Sequence, residues 1–398
     1  MTTTINNEHK KLNVPNLRFP EFQGEWEKYE LGDICDIITD FVAAGSFASL
    51  RENVKYYQEN NYAQLIRTID LKNNFTNSDF VYVDEVAYDF LWRVQLKEPN
   101  IVLPNIGANI GEKYYVKPQD LPKNKNVLGP NAILLRSKCN DTHFVYFRLT
   151  TSSYDNEMKK LVGASGQPKF NKTDLKKVSL FMPSLIEQKR IAYFLALLEE
   201  RIATQNKIIE DLKKLKSAIS HILFSSKGAI HLSEIANVVM GQSPSSNAYN
   251  DQGLGMPLVQ GNLDISNGKT TPRLYTAEFN QTTEKGNIIL TVRAPVGEVA
   301  KATQKVCLGR GVCAIIPHEE NMSDFIYQYL TFYKFMWRRY EQGSTFTSIN
   351  GSDVRNIFCP KVRNVSILTL LDIKINIEER LVKQYQSQKQ YMLYQMFI

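Results

Sequence analysis

At 398 residues the chain is long enough for two or three domains, and its 43% hydrophobic and 22% charged residues are the make-up of a globular protein with ample core. A formal net charge of +7 admits a polyanionic partner without requiring one. No apolar run reaches the ~18 residues of a membrane span, the opening MTTTINNEHKKLNVP lacks the apolar core of a signal peptide, and five scattered cysteines and five histidines show no metal-ligand spacing, so the expectation is a reducing cytoplasm, buried thiols and no metal.

Residues 1–25 are polar and then Pro-punctuated in VPNLRFPEF, which predicts an irregular lead-in. Residues 26–183 predict one mixed α/β (α+β) domain. Its strands fall over Ala63–Ile69, Phe80–Val83, Asn100–Leu103, Tyr114–Val116 and Ala132–Leu135, with a helix over His143–Tyr154. Residues 184–226 contain Leu185–Phe224, forty residues without Gly or Pro. Apolar side chains recur there at Ile191, Leu195, Leu198 and Ile202, then at Ile208, Leu212, Leu215, Ile219 and Ile222, the 4-3 stepping of a coiled-coil seam. Between the two runs the seam passes Gln205, where either the phase slips or the core turns polar. At 1.5 Å per residue this helix is roughly 60 Å long. Ser184 with Glu187 three residues on has the pattern of a capping box, and Glu187 also suits the positive end of the helix dipole.

After a short exit, residues 227–362 predict a second mixed domain with strands over Pro257–Val259, Asn287–Val292 and Val312–Ile316 and a helix over Asp324–Tyr340. Residues 363–398 again lack Gly and Pro and carry Leu370, Ile373, Ile377, Leu381, Tyr385 and Met392 at helical spacing.

The two halves are copies. LGDICDI (31–37) returns as LSEIANV (232–238), NIVLPNIGANIGE (100–112) as NIILTVRAPVGE (287–298), and NAILL (131–135) as VCAII (312–316). GASGQPKFNKTDL (163–175) matches GSTFTSINGSDV (343–354), FMP matches FCP, and EERIATQ (199–205) matches EERLVKQ (378–384). Six matches in one order mark an internal repeat of one globular domain followed by one long helix. Two such amphipathic helices bury their stripes by pairing, and an antiparallel pair relates the two domains by a pseudo-two-fold axis.

Catalytic patterns are missing. There is no P-loop, no GxSxG elbow, no HExxH and no adjacent proline pair of the kind amino-group DNA methyltransferases use. GRGVCA (309–314) leads into a strand rather than a helix, so it reads as a turn and not a dinucleotide site. Recognition chemistry is present instead, in loops that combine cations, amides and hydroxyls suited to phosphates and base edges. The first domain offers Asn105, Asn109, Lys113, Lys123, Lys125, Gln167, Lys169, Asn171 and Lys172. The second offers Gln260, Asn262, Arg293, Arg310, Ser344, Thr345, Thr347 and Ser348, with Arg293 at the repeat position of Asn105 or Ile106.

With these residues in view, the chain resembles the specificity (S) subunits of type I restriction–modification systems. The resemblance lies in VPNLRFPEFQGEWEKYELGDI, in LIEQKRIAYFLALLEERI, in the duplicated domain–helix organisation and in the closing LYQMFI, and it covers essentially the whole chain. It implies two target recognition domains, each reading one half of a split site in double-stranded DNA, and a long antiparallel coiled coil that sets the gap between the halves. It further implies that two modification (methyltransferase) subunits dock on the helices, through residues such as Glu187, Arg190, Ile191, Leu195, Leu198, Ile202, Leu212, Leu215, Ile373, Ile377 and Leu381. Those subunits would carry S-adenosylmethionine, and restriction/translocase subunits would bring ATP and Mg, leaving this chain non-catalytic and free of cofactors. The second helix, NVSILTLLDIKIN, departs from the EQKRIA start of the first. Two other classes fit the residues: a coiled-coil scaffold with protein-binding ends, which a salt titration of DNA binding separates, and a methyltransferase with an unfamiliar motif, which S-adenosylmethionine binding by the isolated chain would reveal.

Overall fold

The computed structural model describes residues 13–76, 79–107, 109–161, 169–225, 230–340, 348–361 and 364–398. The chain forms two compact units. One comprises the residues up to Ala203 together with Lys383–Ile398, and the other comprises Thr204–Val382. Each unit therefore contains a globular part plus a segment of both long helices, Leu185–Phe224 and Ser366–Met396.

In the first unit, a four-stranded antiparallel sheet runs in the order Ile37–Asp40, Ala132–Arg136, Asn100–Pro104, Tyr114–Val116. A three-stranded sheet places Ala63–Ile66 between Val81–Val83 and a parallel neighbour, Asn126–Leu128. One core lies between these sheets around Leu65, Val102, Val127 and Leu134. A second joins Trp26, Phe144 and Phe147 to Ile191 and Leu195 of the central helix and to Met396 and Phe397. The expected Ala63–Ile69 strand stops at Ile66 because Asp70 turns back to accept the Arg67 backbone N–H at 2.8 Å and starts the short helix Thr68–Lys72. The helix expected over His143–Tyr154 divides into Thr142–Leu149 and Ser152–Leu161. The Thr150 and Thr151 hydroxyls donate to the Phe147 and Arg148 carbonyls at 2.7 and 2.8 Å, and local side-chain bonds of this kind satisfy a helix end and stop it.

The second unit repeats the plan with larger sheets. A six-stranded sheet contains Ala236–Met240, Val312–Pro317, Ile288–Thr291 and Val299–Lys301 as neighbours. A five-stranded sheet places Met256–Val259 beside Leu274–Thr276 and, in parallel, beside Val306–Leu308. The expected Asp324–Tyr340 helix is α-helical over Ser323–Tyr333 and tightens to 3-10 turns over Lys334–Arg339, where Trp337 is buried.

The ladders show the duplication in backbone terms. Ile101 faces Leu135 and Val102 faces Leu134 in one unit, and Ile288 faces Ile315 and Ile289 faces Ala314 in the other. Ala132 is thus the counterpart of Val312, which shifts the NAILL–VCAII match by one residue. Likewise Glu30 faces Ser179 whereas His231 faces Phe358, so FMP and FCP are not in structural register. Short apolar runs fit several alignments equally well, and only the hydrogen-bonded partner decides among them.

The long helices run antiparallel within each unit. In the first, Ile191 and Leu195 share a core with Met396 and Phe397, while Glu199 takes Lys389 at 2.5 Å and Arg201 lies 5.1 Å from the Tyr385 ring. In the second, Gln205 donates to the Glu378 carboxylate and Lys216 reaches Asp372 at 2.5 Å. The helix phase does not slip at Gln205; the core turns polar there. Gln205 and Glu378 are both buried, and the seam continues through Ile209, Leu212, Lys216 and Ser220. Ile208, Leu215 and Ile222, expected in the seam, are exposed, and on the second helix so are Leu370, Ile373 and Ile377. The residues buried there are Leu368, Leu371, Ile375 and Val382. Each helix carries two apolar stripes, and periodicity alone does not say which one is covered.

Ser184 caps the central helix by accepting the Glu187 N–H at 3.4 Å, but the Glu187 carboxylate does not close the box. It is 1% exposed and takes Arg18 of the lead-in bidentately, both contacts at 2.7 Å, with Trp26 Nε1 at 3.4 Å. Arg190 likewise faces the lead-in, 3.8 Å from Glu21 and over the Phe19 ring. Removing one partner of a buried, hydrogen-bonded ion pair strands the other charge. Arg18→Ala should therefore cost about 3 kcal/mol or more, read as a lower urea midpoint with an unchanged slope.

Candidate nucleic-acid interface

In the second unit the loops at the ends of three strands converge. The Met256–Val259 strand leads into Gln260 and the turn Asn262–Asp264. Val306–Leu308 leads into Gly309–Arg310–Gly311, and Ile288–Thr291 is followed by Arg293. The backbone closes tightly around them. Gly309 N–H donates to the Val259 carbonyl at 2.8 Å, Val292 N–H to Gly311 at 2.9 Å, and Ile349 N–H to Val292 at 3.0 Å, with Arg293 bridged to Ser348. A cleft of about 690 Å³ results, lined by Gln260, Asn262, Arg273, Arg293, Arg310 and a rim over Ser243–Tyr249. Among the described residues Asp264 is its sole lining carboxylate, so three arginines face one acid there. No metal-like group of three His, Cys, Asp or Glu occurs among the described residues.

The GRG turn reads structurally as expected, leading into Val312–Pro317. It also does more: its glycines let the loop approach Gln260 closely enough to present Arg310. A Cβ on Gly311 would lie 2.1 Å from the Gln260 carbonyl oxygen, and one on Gly241 would lie 2.1 Å from that of Gly309. Arg310 N–H donates to Ser243 Oγ at 3.0 Å, which fastens the turn to the rim.

Four of the residues singled out in the sequence, Gln260, Asn262, Arg293 and Arg310, thus meet in one cleft, with Ser348 bonded alongside. Thr345 and Thr347 lie outside the described residues, as do Ser344 and Gln167. The sequence does not single out Arg273 and Asp264. Their signal is that IRTIDL (66–71) and VQGNLDI (259–265) both follow a strand with an Asp a turn later, a pattern hidden in the first because its β-branched residues read as continuing strand.

Around the equivalent loops the first unit has matching backbone contacts with different side chains. Asn105 N–H bonds the Asn131 carbonyl and Phe170 N–H bonds Asn105, so Asn105 is the counterpart of Val292 and Ile106 that of Arg293. Ile106 bridges Lys169 where Arg293 bridges Ser348, so the cation has moved to the other side of an equivalent contact. Asn105 is half-buried and donates to the Phe170 carbonyl at 3.4 Å. Asn171 caps the Lys172–Lys176 helix, accepting the Asp174 N–H at 2.8 Å, as Asn350 does in the second unit. Lys113 is paired with Asp155, and Asn109 accepts Lys72 at 2.9 Å. Lys123 and Lys125 are not brought to this place: they precede Asn126–Leu128, whose far end carries the equivalent loop, and they sit over Tyr82 and Tyr62. Lys169 is exposed and has no ion pair among the described residues.

Four cysteines are buried, and burial pushes the Cys35, Cys313 and Cys359 thiols up to about 12; Cys139 is exposed. Among the described residues no helix is long and apolar enough to cross a membrane.

An internally duplicated recognition protein, with two β-rich units closed by paired helices and a basic loop cleft, is the class these features define. The chain belongs to the type I restriction modification DNA specificity domain family, whose model matches it twice, over residues 23–214 and 228–384. A similar protein in Methanocaldococcus jannaschii, assigned as the specificity subunit of the type I restriction enzyme MjaX, is 29% identical over 382 residues, covering 88% of this chain and 86% of that one. Among solved structures, the S subunit of a type I restriction-modification system from M. genitalium superposes with a TM-score of 0.63 at 18% identity, over 97% of this chain and 99% of that one. A chain from work on complex assembly and conformational transition of the type I R-M system gives 0.55 at 18% identity, over 92% and 96%. At that identity both likenesses speak to the fold.

Gly311→Ala should destabilise the second unit by about 1–3 kcal/mol through overpacking against the Gln260 carbonyl. It should also lower DNA affinity at a temperature where the fold is intact, and the two effects are read by thermal unfolding and by duplex titration.

Proposed function

We propose that this chain is the non-catalytic DNA-specificity subunit of a type I restriction–modification enzyme, each unit reading one half of a bipartite site in double-stranded DNA. The observation that carries this reading is the cleft in which Arg273, Arg293 and Arg310 converge beside Gln260 and Asn262, donors suited to phosphates and base edges, in a chain of this family. Loops that differ in side chains on matching backbone contacts suit two half-sites of different sequence. The paired helices would hold the units a set distance apart.

Two modification subunits would dock on the open faces of those helices. On the second helix Ile367, Leu370, Ile373 and Ile377 form an exposed stripe at 3-3-4 spacing, and on the first Ile208, Leu215 and Ile222 are exposed. Apolar rows of this kind are a surface that a partner covers. Ile191, Leu195, Leu198, Ile202, Leu212 and Leu381 are buried or half-buried and would act by keeping the helices together. S-adenosylmethionine would be held by those partners, and ATP and Mg by restriction/translocase subunits, in the cytoplasm.

The test is to map adenine methylation genome-wide with and without this gene. A split motif should disappear on deletion, and an unchanged methylation pattern would refute the reading. One helical turn of four residues inserted into both helices, after Gln205 and after Glu378, adds about 6 Å against 3.4 Å per base pair, so the spacer should lengthen by one or two base pairs. A motif with its original gap would rule out the helices as the spacing element.

A further inference from the structure

Arg273 differs from the other two arginines of the cleft in how it is held. Asp264, whose side chain is 4% exposed, accepts the Gln260 backbone N–H at 2.8 Å on one oxygen and Arg273 Nε at 3.0 Å on the other. The Asp264 carbonyl also takes the Thr271 N–H at 2.8 Å, which ties the segment carrying Arg273 to the same turn. The guanidinium is thus oriented through Nε. Both terminal NH2 groups have no protein partner among the described residues, and the side chain is 56% exposed in the cleft. Arg293 and Arg310 make no side-chain hydrogen bond among the described residues.

The first unit has the matched clamp with the opposite outcome. Asp70, whose side chain is 1% exposed, accepts the Arg67 backbone N–H at 2.8 Å, as Asp264 does that of Gln260. There, however, Arg67 spends Nε and one NH2 on Asp70 at 3.0 and 2.7 Å, and the same NH2 on the Asp79 carbonyl at 2.9 Å. Its fork is consumed. Of the two, only Arg273 keeps a fixed end-on pair of donors.

A buried carboxylate at Nε has two consequences. It offsets the charge of the arginine, which weakens attraction to a phosphate. It also fixes the plane of the fork before binding, so little rotamer freedom is lost on contact. Directional donors with reduced charge suit a base edge, and two parallel N–H groups match O6 and N7 of guanine in the major groove. The uncompensated Arg293 and Arg310 are left to supply phosphate attraction. Resting on the DNA-specificity reading above, the geometry points to Arg273 as a base-reading residue that takes a guanine in the half-site of the second unit, with Asp264 as its positioning residue.

The experiment places Arg273→Gln, Arg273→Ala, Asp264→Asn and Arg293→Ala singly in the chromosomal gene and maps adenine methylation genome-wide. Arg273→Ala should relax discrimination at one G·C position of one half-motif by about tenfold or more, leaving the other positions intact. Arg273→Gln should move that position towards A·T, because a carboxamide matches adenine N6 and N7. Asp264→Asn should relax the same position and no other, whereas Arg293→Ala should lower methylation evenly at every site. Arg273→Ala leaves the Asp264 carboxylate with one donor fewer, so the Arg273 variants should melt somewhat below the parent, and methylation is mapped at a temperature where thermal unfolding shows each variant folded. An even loss across all positions in the Arg273 variants, or a motif unchanged at every position, would overturn the assignment. If the parent gene directs no split motif at all, it is the specificity-subunit reading that fails; a parent motif untouched by Arg273→Gln defeats the guanine assignment alone.

Discussion

Neither long helix can stand by its own stripe of apolar residues, and the rest of the molecule follows from that. A forty-residue amphipathic helix exposes a seam whose burial, not its propensity, makes it stable. The seam is covered by a second helix that begins some 140 residues after the first has ended. Each unit is thereby completed by a segment from far along the sequence: Lys383–Ile398 closes the first unit, and Val365 and Leu368 share a core with Phe224 of the central helix in the second. The buried Gln205–Glu378 contact adds a hydrogen-bonded polar pair at one level of the seam.

On that frame the duplication separates what must stay from what is free to change. The central ladder pairing is shared by both units, as are the asparagine caps at Asn171 and Asn350 and the bridges at Ile106 and Arg293. These are backbone features, and losing one leaves buried N–H and C=O groups unpaired. The side chains on the same bridges are under no such restraint. Lysine faces isoleucine in one unit and serine faces arginine in the other. A copied scaffold with reassigned loop chemistry is how a single chain comes to carry two different recognition surfaces.

The lead-in shows how a polar segment without secondary structure becomes part of a core. Residues around Arg18 read as irregular, and they are, yet the Arg18 guanidinium fills both oxygens of a buried glutamate at the start of the central helix. Glu187 has the pattern of a capping-box residue, and the fold uses its carboxylate to anchor the lead-in.

The sequence by itself determined the repeat, the bounds of both long helices and most strand positions, because these depend on local periodicity and on the absence of glycine and proline. Tyr114–Val116 and Leu185–Phe224 fall where they were expected. It also singled out four of the cleft residues, since cations and amides in strand-end loops carry their chemistry in their type. Only the tertiary structure decided which of two apolar stripes is the seam, placing Ile209 inside and Ile208 out, because both satisfy a helical period and the neighbour alone chooses. Only the ladder fixed Ala132 opposite Pro104 and so aligned the two halves to the residue. And only the closed loops brought Arg273 to Asp264, nine positions apart in sequence, since which donors of an arginine remain free depends on where a carboxylate lies in space and not on the residues beside it.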